Sequence, residues 1–375
     1  MNSLREKIAA EIRQRGPMPF SRYMELCLYD ETCGYYSRNA EQFGKAGDFY
    51  TSSDVHAVFG RLMARQFEEM WRALDRPHLV RIKELGPGRG LFAQDVLDWS
   101  EKKFPDFFHS LHYVLVERSS ALCRRIEITL KRHLEAGRAE ISTADESGSS
   151  PAILFVNEFF DALPVAILSS RGSLRLDLHG DRLIETWAPA SAEELEYVDR
   201  YSVHPEPGER VEVSLESQRL MKCAAQLESG FIVAIDYGYT REEQLAGRHR
   251  GTLKSIRQHS VSPSPYEAPG EQDITADVNF TALAAAAGQL GFHSEKLMTQ
   301  SQFLMGIGEK NQFADAFEEC RLPQERTKVA LQLKHLVTPA GMGESFHVLV
   351  ASKSVPFEKV RALAGLSFGR QTPHY

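Results

Sequence analysis

The segment Glu84-Leu85-Gly86-Pro87-Gly88-Arg89-Gly90 separates an apolar run, Leu79 to Leu85, from an amphipathic run that begins at Leu91. Alternating glycines between a strand and a helix supply backbone that turns tightly and lets a ligand approach without side chains in the way. The dinucleotide fingerprint is Gly-x-Gly-x-x-Gly, with a helix N-terminus facing a pyrophosphate. Here the spacing is Gly-x-Gly-x-Gly, and no Gly-Lys-Ser/Thr triphosphate signature follows. The spacing therefore predicts a nucleoside ligand without phosphates, such as S-adenosylmethionine, held around Glu84, Gly86, Pro87, Gly88 and Gly90. Glu117, at the end of the next apolar strand, can accept hydrogen bonds from both ribose hydroxyls. The alternative for Glu117 is a solvated carboxylate at a strand end.

From Leu79 onward, short apolar strands alternate with amphipathic helices, the pattern of a parallel sheet covered on its faces. Strands are expected at Leu79 to Leu85, His112 to Val116, Ile153 to Val156, Phe231 to Ile235, Phe292 to Met298 and Phe346 to Ala351. Helices are expected from Leu91 to about Lys102, from near Ser119, and over Phe280 to Leu290. Residues 1–75 read as an N-terminal helical cap and 76–164 as the first part of the core. The alternating runs Val165 to Leu168, Leu174 to Leu178 and Arg182 to Trp187 make 165–225 an antiparallel, β-rich insertion. The remainder of the core, 226–375, carries a loop insertion over 239–276 that is rich in Gly, Pro, Arg and His, longer than an ordinary connection. The fold class is α/β.

With 42% hydrophobic and 25% charged residues, the 375-residue chain buries a full core. A formal charge of 44 − 51 = −7, without a run of basic residues, argues against general nucleic-acid binding. Five cysteines in no Cys-x-x-Cys pair suit a reducing compartment, and no His/Cys spacing suggests a metal. No stretch is long and apolar enough to insert in a membrane, and the N-terminal residues show no signal or transit pattern, so the expectation is a cytoplasmic chain, bacterial in source.

Several stretches together carry a family resemblance: Tyr23 to Leu28 with Gly34-Tyr35-Tyr36; Phe43-Gly44 with Gly47-Asp48-Phe49; Glu84 to Gly90; Asn157 to Pro164; Asp236-Tyr237-Gly238; Gly251-Thr252-Leu253; and Asp273 to Val278. In this order they resemble the mitochondrial complex I assembly factor family of protein arginine methyltransferases and its bacterial relatives. The resemblance implies a Rossmann-like, seven-stranded methyltransferase core and, for the mitochondrial members, symmetric dimethylation of an arginine. It also implies that Asp48 and Phe49 close over the cofactor. Thr51-Ser52-Ser53-Asp54 departs from the family pattern, so no role is carried to Asp54.

Asn157, Glu158 and Asp161 directly follow a core strand, where α/β sheets place their ligands. A guanidinium stays protonated in water and must still offer a nitrogen lone pair to a methyl group. Carboxylates hold its planar fork and draw its charge away from the attacking nitrogen. These three residues are the candidate catalytic groups; the alternative is that Asp161 caps a turn and Asn157 satisfies backbone groups. The basic segment 248–259, with His249 and His259, suits either an acidic partner or a solvated loop. The expected activity is methyl transfer from S-adenosylmethionine, giving S-adenosylhomocysteine, to an arginine of a protein substrate. A small-molecule methyltransferase and a noncatalytic, cofactor-binding assembly factor are the alternatives.

Overall fold

The computed structural model describes residues 3–37, 57–143, 153–222, 227–257 and 260–368. The chain divides into two compact units interleaved along the sequence. The first takes Met1–Phe49, Glu158–Lys222 and Tyr237–Ala286; the second takes Tyr50–Asn157, Cys223–Asp236 and Ala287–Tyr375. The stretch 1–75, expected as one cap, is thus shared between them, with the helix Ala57–Ala73 in the second.

The second unit is built on a large sheet whose strands are, in chain order, β1 (Val80–Leu85), β2 (Leu111–Val116), β3 (Ala139–Ser142), β4 (Ile153–Asn157), β5 (Gly230–Tyr239), β6 (His293–Ser294), β7 (Met298–Thr299) and β8 (Phe346–Lys353). Their spatial order is β6-β8-β5-β4-β1-β2-β3, with β7 also paired to β8. The run β5-β4-β1-β2-β3 is parallel, and β6 and β7 are antiparallel to β8. Seven strands on one path agree with the expected core. The chain moves outward through β1, β2 and β3, then returns to the other side of β1 for β4. That reversal is a topological switch at the carboxyl ends of β1 and β4, the usual ligand position in such sheets.

β4 is buried along Ile153 to Val156 because helices cover it, as all-parallel strands require. Phe155 stacks on Phe92 with ring centroids 4.5 Å apart and meets Phe67 edge-on at 5.4 Å, so the helices Leu91–Lys103 and Ala57–Ala73 share one core with the strand. One expectation is corrected here. The strand predicted over Phe292 to Met298 is two short strands; Glu295 N still donates to Val350 O at 2.9 Å, but regular pairing lapses before Met298. The strand Ala139–Ser142 and the helices Gln300–Glu309 and Pro323–Val337 were not anticipated.

The first unit contains the β-rich insertion. Its five-stranded antiparallel sheet runs Met18–Pro19, Gly172–His179, Ala166–Ser169 and Val211–Val213, with Arg182–Ala188 also paired to Gly172–His179. Residues from before the core therefore supply one edge. Helices Leu4–Arg15 and Phe20–Tyr29 pack Ile8, Ile12, Phe20, Tyr23 and Met24 against Ile167, Leu174 and Leu176 of that sheet. The stretch 239–276, expected as a loop, holds a small sheet of its own: Ser260–Val261, Lys254–Arg257 and Asp273–Thr275 pair antiparallel.

Candidate active site

In the second unit, β1 ends on Leu85 and the glycine turn follows at once. Gly86, Gly88 and Gly90 have φ of 65°, 54° and 75°, left-handed values that glycine adopts without a Cβ penalty. Gly86 N donates to Val116 O at 3.1 Å, which carries the pairing of β1 and β2 into the turn; Gly90 N closes it on Pro87 O at 2.9 Å. The glycines differ in what surrounds them. Among the described residues, a Cβ on Gly88 would meet no atom within 4 Å, whereas one on Gly90 would lie 3.4 Å from Ile126 and 3.5 Å from Leu130. Gly90 therefore allows a helix to pack, and Gly88 keeps an open face at the strand end.

Glu117 stands at the carboxyl end of β2, half-buried, with Ser119 N donating to its Oε1 at 2.8 Å. Ser119 also caps the helix Ser120–Thr129, so the cap and the carboxylate are held by one turn. Burial raises the Glu117 carboxyl, opposed by the backbone N–H groups of Ser119 and Arg118. A carboxylate has acceptor capacity beyond one backbone bond, so it suits a pair of ribose hydroxyls. Glu84 behaves otherwise. It is 4% exposed and accepts from the Tyr113 hydroxyl at 2.9 Å, and burial pushes it up to about 8. Its carboxyl braces β1 against β2 through Oε2.

In the first unit, Glu158 turns the chain off β4 with φ of 50°, a strained value for a non-glycine residue. The short 3-10 turn Phe160–Ala162 then places Asp161, 8% exposed, against Tyr237. The Tyr237 hydroxyl donates to Asp161 Oδ2 at 2.5 Å. Burial pushes the Asp161 carboxyl up to about 6; the Tyr237 and Ala162 hydrogen bonds oppose that, and the charge of Asp277 adds to it. Asp161 is thus a buried acid bonded across the unit, more than a local turn cap.

The same unit surrounds this carboxyl with aromatic and acidic groups. Tyr29 donates to Ala162 O at 2.9 Å and stacks on Tyr36 at 5.5 Å, and Tyr36 donates to Asp273 at 3.3 Å. Asp277 receives Lys254 Nζ at 3.0 Å and His249 Nδ1 at 3.1 Å, and the Lys254 ammonium lies 5.3 Å from the Tyr237 ring centroid. Glu212, not anticipated as a functional residue, anchors that arrangement. Buried at 3%, it accepts from Thr252 N, Thr252 Oγ1 and Leu253 N at 3.0, 3.1 and 3.3 Å, while Thr252 Oγ1 accepts from Asp277 N at 3.0 Å. Glu212 holds Gly251-Thr252-Leu253 and so sets both Lys254 and Asp277. A carboxylate in a polar strand pattern gives no sign of this role in sequence.

The basic segment 248–257 is neutralised internally. Arg248 faces Glu243, His249 and Lys254 face Asp277, Arg250 faces Glu209, and Arg257 faces Glu271. His259, Asp48, Phe49 and Asp54 lie outside the described residues. Asn157 ends β4 in register with Ile235, in the second unit, so the Asn157 to Pro164 motif is shared between the units. Among the described residues, no group of His, Cys, Asp or Glu suits a metal, and no helix is long and apolar enough to cross a membrane.

A glycine turn at the topological switch, paired with a carboxylate at the end of the neighbouring strand, defines a nucleoside-binding α/β enzyme of the S-adenosylmethionine-dependent methyltransferase class. The chain belongs to the S-adenosyl-L-methionine-dependent methyltransferase family whose model matches residues 62–298. It is similar to the mitochondrial protein arginine methyltransferase NDUFAF7 homolog of Drosophila melanogaster, 28% identical over 92% of this chain and 84% of that protein. Against the mitochondrial protein arginine methyltransferase NDUFAF7 of Homo sapiens, identity is 25% over 90% and 80%. A crystal structure from Burkholderia thailandensis with S-adenosyl-homocysteine bound superposes with a TM-score of 0.83 and 27% identity, covering 97% of this chain and 94% of that one.

Proposed function

We propose that the chain transfers a methyl group to the guanidinium of an arginine in a protein substrate. Bound S-adenosylmethionine supplies the electrophilic methyl carbon, and its loss of methyl leaves S-adenosylhomocysteine. Gly86, Gly88 and Gly90 present backbone to that molecule, and Glu117 accepts from its ribose. The observation that carries the choice of substrate is Asp161: a buried carboxyl bonded to Tyr237, with Asp277 and the rings of Tyr29 and Tyr36 in the same unit. Carboxylates and aromatic faces suit a planar, delocalised cation better than they suit an anionic or neutral nucleophile. Asp161 and Glu158 receive the guanidinium, and the proton released when one nitrogen becomes methylated passes to a carboxylate oxygen of Asp161. The similarity to arginine methyltransferases supports the same reading.

The test is incubation of the protein with isotopically labelled S-adenosylmethionine and lysate of its source organism, followed by mass-spectrometric mapping. Label on an arginine of a protein is the expected result; label confined to small metabolites removes the proposal. Asp161→Asn and Glu158→Gln should keep cofactor affinity and lose transfer.

A further inference from the structure

We propose that Tyr237 is a positioning residue for the transfer: its phenol O–H fixes the Asp161 carboxylate in the orientation that receives the substrate cation and favours its ionised form within an acidic neighbourhood. The inference rests on the reading of Asp161 as the group that takes the guanidinium and its proton.

Tyr237 is held from two sides. The next residue, Gly238, pairs with Val278 in a parallel register so close that a Cβ would stand 2.1 Å from Val278 O. Only glycine permits that approach, and it clamps the strand beside the tyrosine. On the ring itself lies the Lys254 ammonium at 5.3 Å, a cation over an aromatic face. The phenol is thereby aimed at Asp161 Oδ2, 2.5 Å away. Tyr237-Gly238 reads as one device near the end of β5: a hydroxyl donor and the glycine that fixes it.

The surroundings explain why such a donor is needed. Asp161 is faced by Tyr237 from β5, by Tyr36 from the turn Tyr35–Ser37 with Asp273 behind it, and by Asp277 beyond the strand Asp273–Thr275. Tyr29 reaches the neighbouring Ala162 carbonyl, and His249 and Lys254 sit on Asp277. Burial and the negative charge of Asp277 both favour the neutral acid, which accepts no proton from a guanidinium. A hydroxyl donor stabilises the charged carboxylate. Tyr237 is the donor in this bond and Asp161 the acceptor, so Tyr237 acts on the reaction through Asp161.

The experiment compares wild type with Tyr237→Phe, which keeps the ring beneath Lys254, and with 3-fluorotyrosine at position 237, a more acidic phenol. Protein carrying carbon-13 in its aspartate carboxyls is titrated by NMR, with Asp161→Asn assigning the signal. Transfer is measured on a synthetic peptide spanning the arginine mapped above. In Tyr237→Phe the Asp161 midpoint should rise by about one pH unit, which from about 6 lowers the ionised fraction at neutral pH roughly twofold; kcat should fall by at least that factor, and the part due to ionisation should recover in alkaline buffer. KM and cofactor affinity should change little. Fluorotyrosine should move the midpoint the other way. An unmoved midpoint in both proteins, or a fall in kcat that is equal at every pH, overturns the proposal. Full transfer by Asp161→Asn would instead remove the reading on which it rests, whatever Tyr237→Phe does.

Discussion

Tyr113 on β2 donates its hydroxyl to Glu84 on β1 at 2.9 Å, one residue before the glycine turn's first leucine and with both side chains buried. Burial raises the Glu84 carboxyl to about 8, against the Tyr113 bond. Folded protein therefore holds a proton on Glu84 that the unfolded chain, with an ordinary carboxylate, releases in mild acid. Stability from this group is present below the unfolded pKa and declines as pH rises from there through about 8. Glu84→Gln, neutral at every pH, should melt close to wild type in mild acid and several degrees above it in alkaline buffer. Its cofactor affinity should stay within about threefold, since Gln retains the acceptor for Tyr113. A melting difference independent of pH would contradict this account.

Gly88 and Gly90 should fail in different ways. At Gly88 the described residues leave space, so Gly88→Val pays backbone strain of roughly 1–3 kcal/mol and adds a side chain at the strand end. Calorimetry should find S-adenosylmethionine affinity lowered at least tenfold, about the effect of 1.4 kcal/mol, in a protein that still folds. Gly90→Val meets Ile126 and Leu130 and should lose stability first. Glu117→Ala should weaken the cofactor without lowering the melting point comparably. Unchanged affinity in both Gly88→Val and Glu117→Ala would remove the cofactor site.

The contrast between these positions marks what sequence can convey. Glycine spacing between a strand and a helix, and a carboxylate at the next strand end, are local patterns, and Gly86 to Gly90 with Glu117 stand together in one unit. Ala139–Ser142 is too short to show a period, and its pairing with β2 is a tertiary fact. Met18–Pro19 joins a sheet whose partner strand begins at Gly172, a pairing no local window contains. The Asp161 environment was legible only in part: the acid itself follows a strand, but Tyr237, Asp277 and Glu212 reach it through contacts across long stretches of chain. The partners of a basic segment are hidden from a local window in the same way. Arg248 to Arg257 reads as a cationic segment until the fold brings Glu209, Glu243, Glu271 and Asp277 opposite it.

Glu212 tests whether that acidic neighbourhood is held from behind. It accepts three bonds from Thr252 and Leu253, and Glu212→Gln replaces one acceptor oxygen by a donor that faces donors. The cost should be about 1–3 kcal/mol of stability, the usual penalty for buried polar groups left unpaired. Transfer should fall with it, because Thr252 no longer holds Asp277, while cofactor affinity stays at the wild-type value. A variant that is destabilised yet fully active at a temperature where it is folded would confine Glu212 to structure.

Lys254 and Asp277 decide how easily Asp161 ionises. Asp277 raises the Asp161 carboxyl through its charge, and the Lys254 ammonium at 3.0 Å neutralises part of that charge. Lys254→Met keeps the stem of the side chain and removes the cation, leaving His249 as the basic partner described on Asp277. The sign follows: with Asp277 less compensated, Asp161 holds its proton to higher pH, and the acidic limb of kcat should move upward. Lys254 is half-exposed at 49%, so solvent screens the effect and the shift should be a fraction of a pH unit, on the order of half. Arg257→Gln supplies the control, because its partner is Glu271 and not Asp277; it should leave the limb where it is. If Lys254→Met and Arg257→Gln give the same pH profile as wild type, the charge of Asp277 does not reach Asp161 and the acid is set by burial and Tyr237 alone.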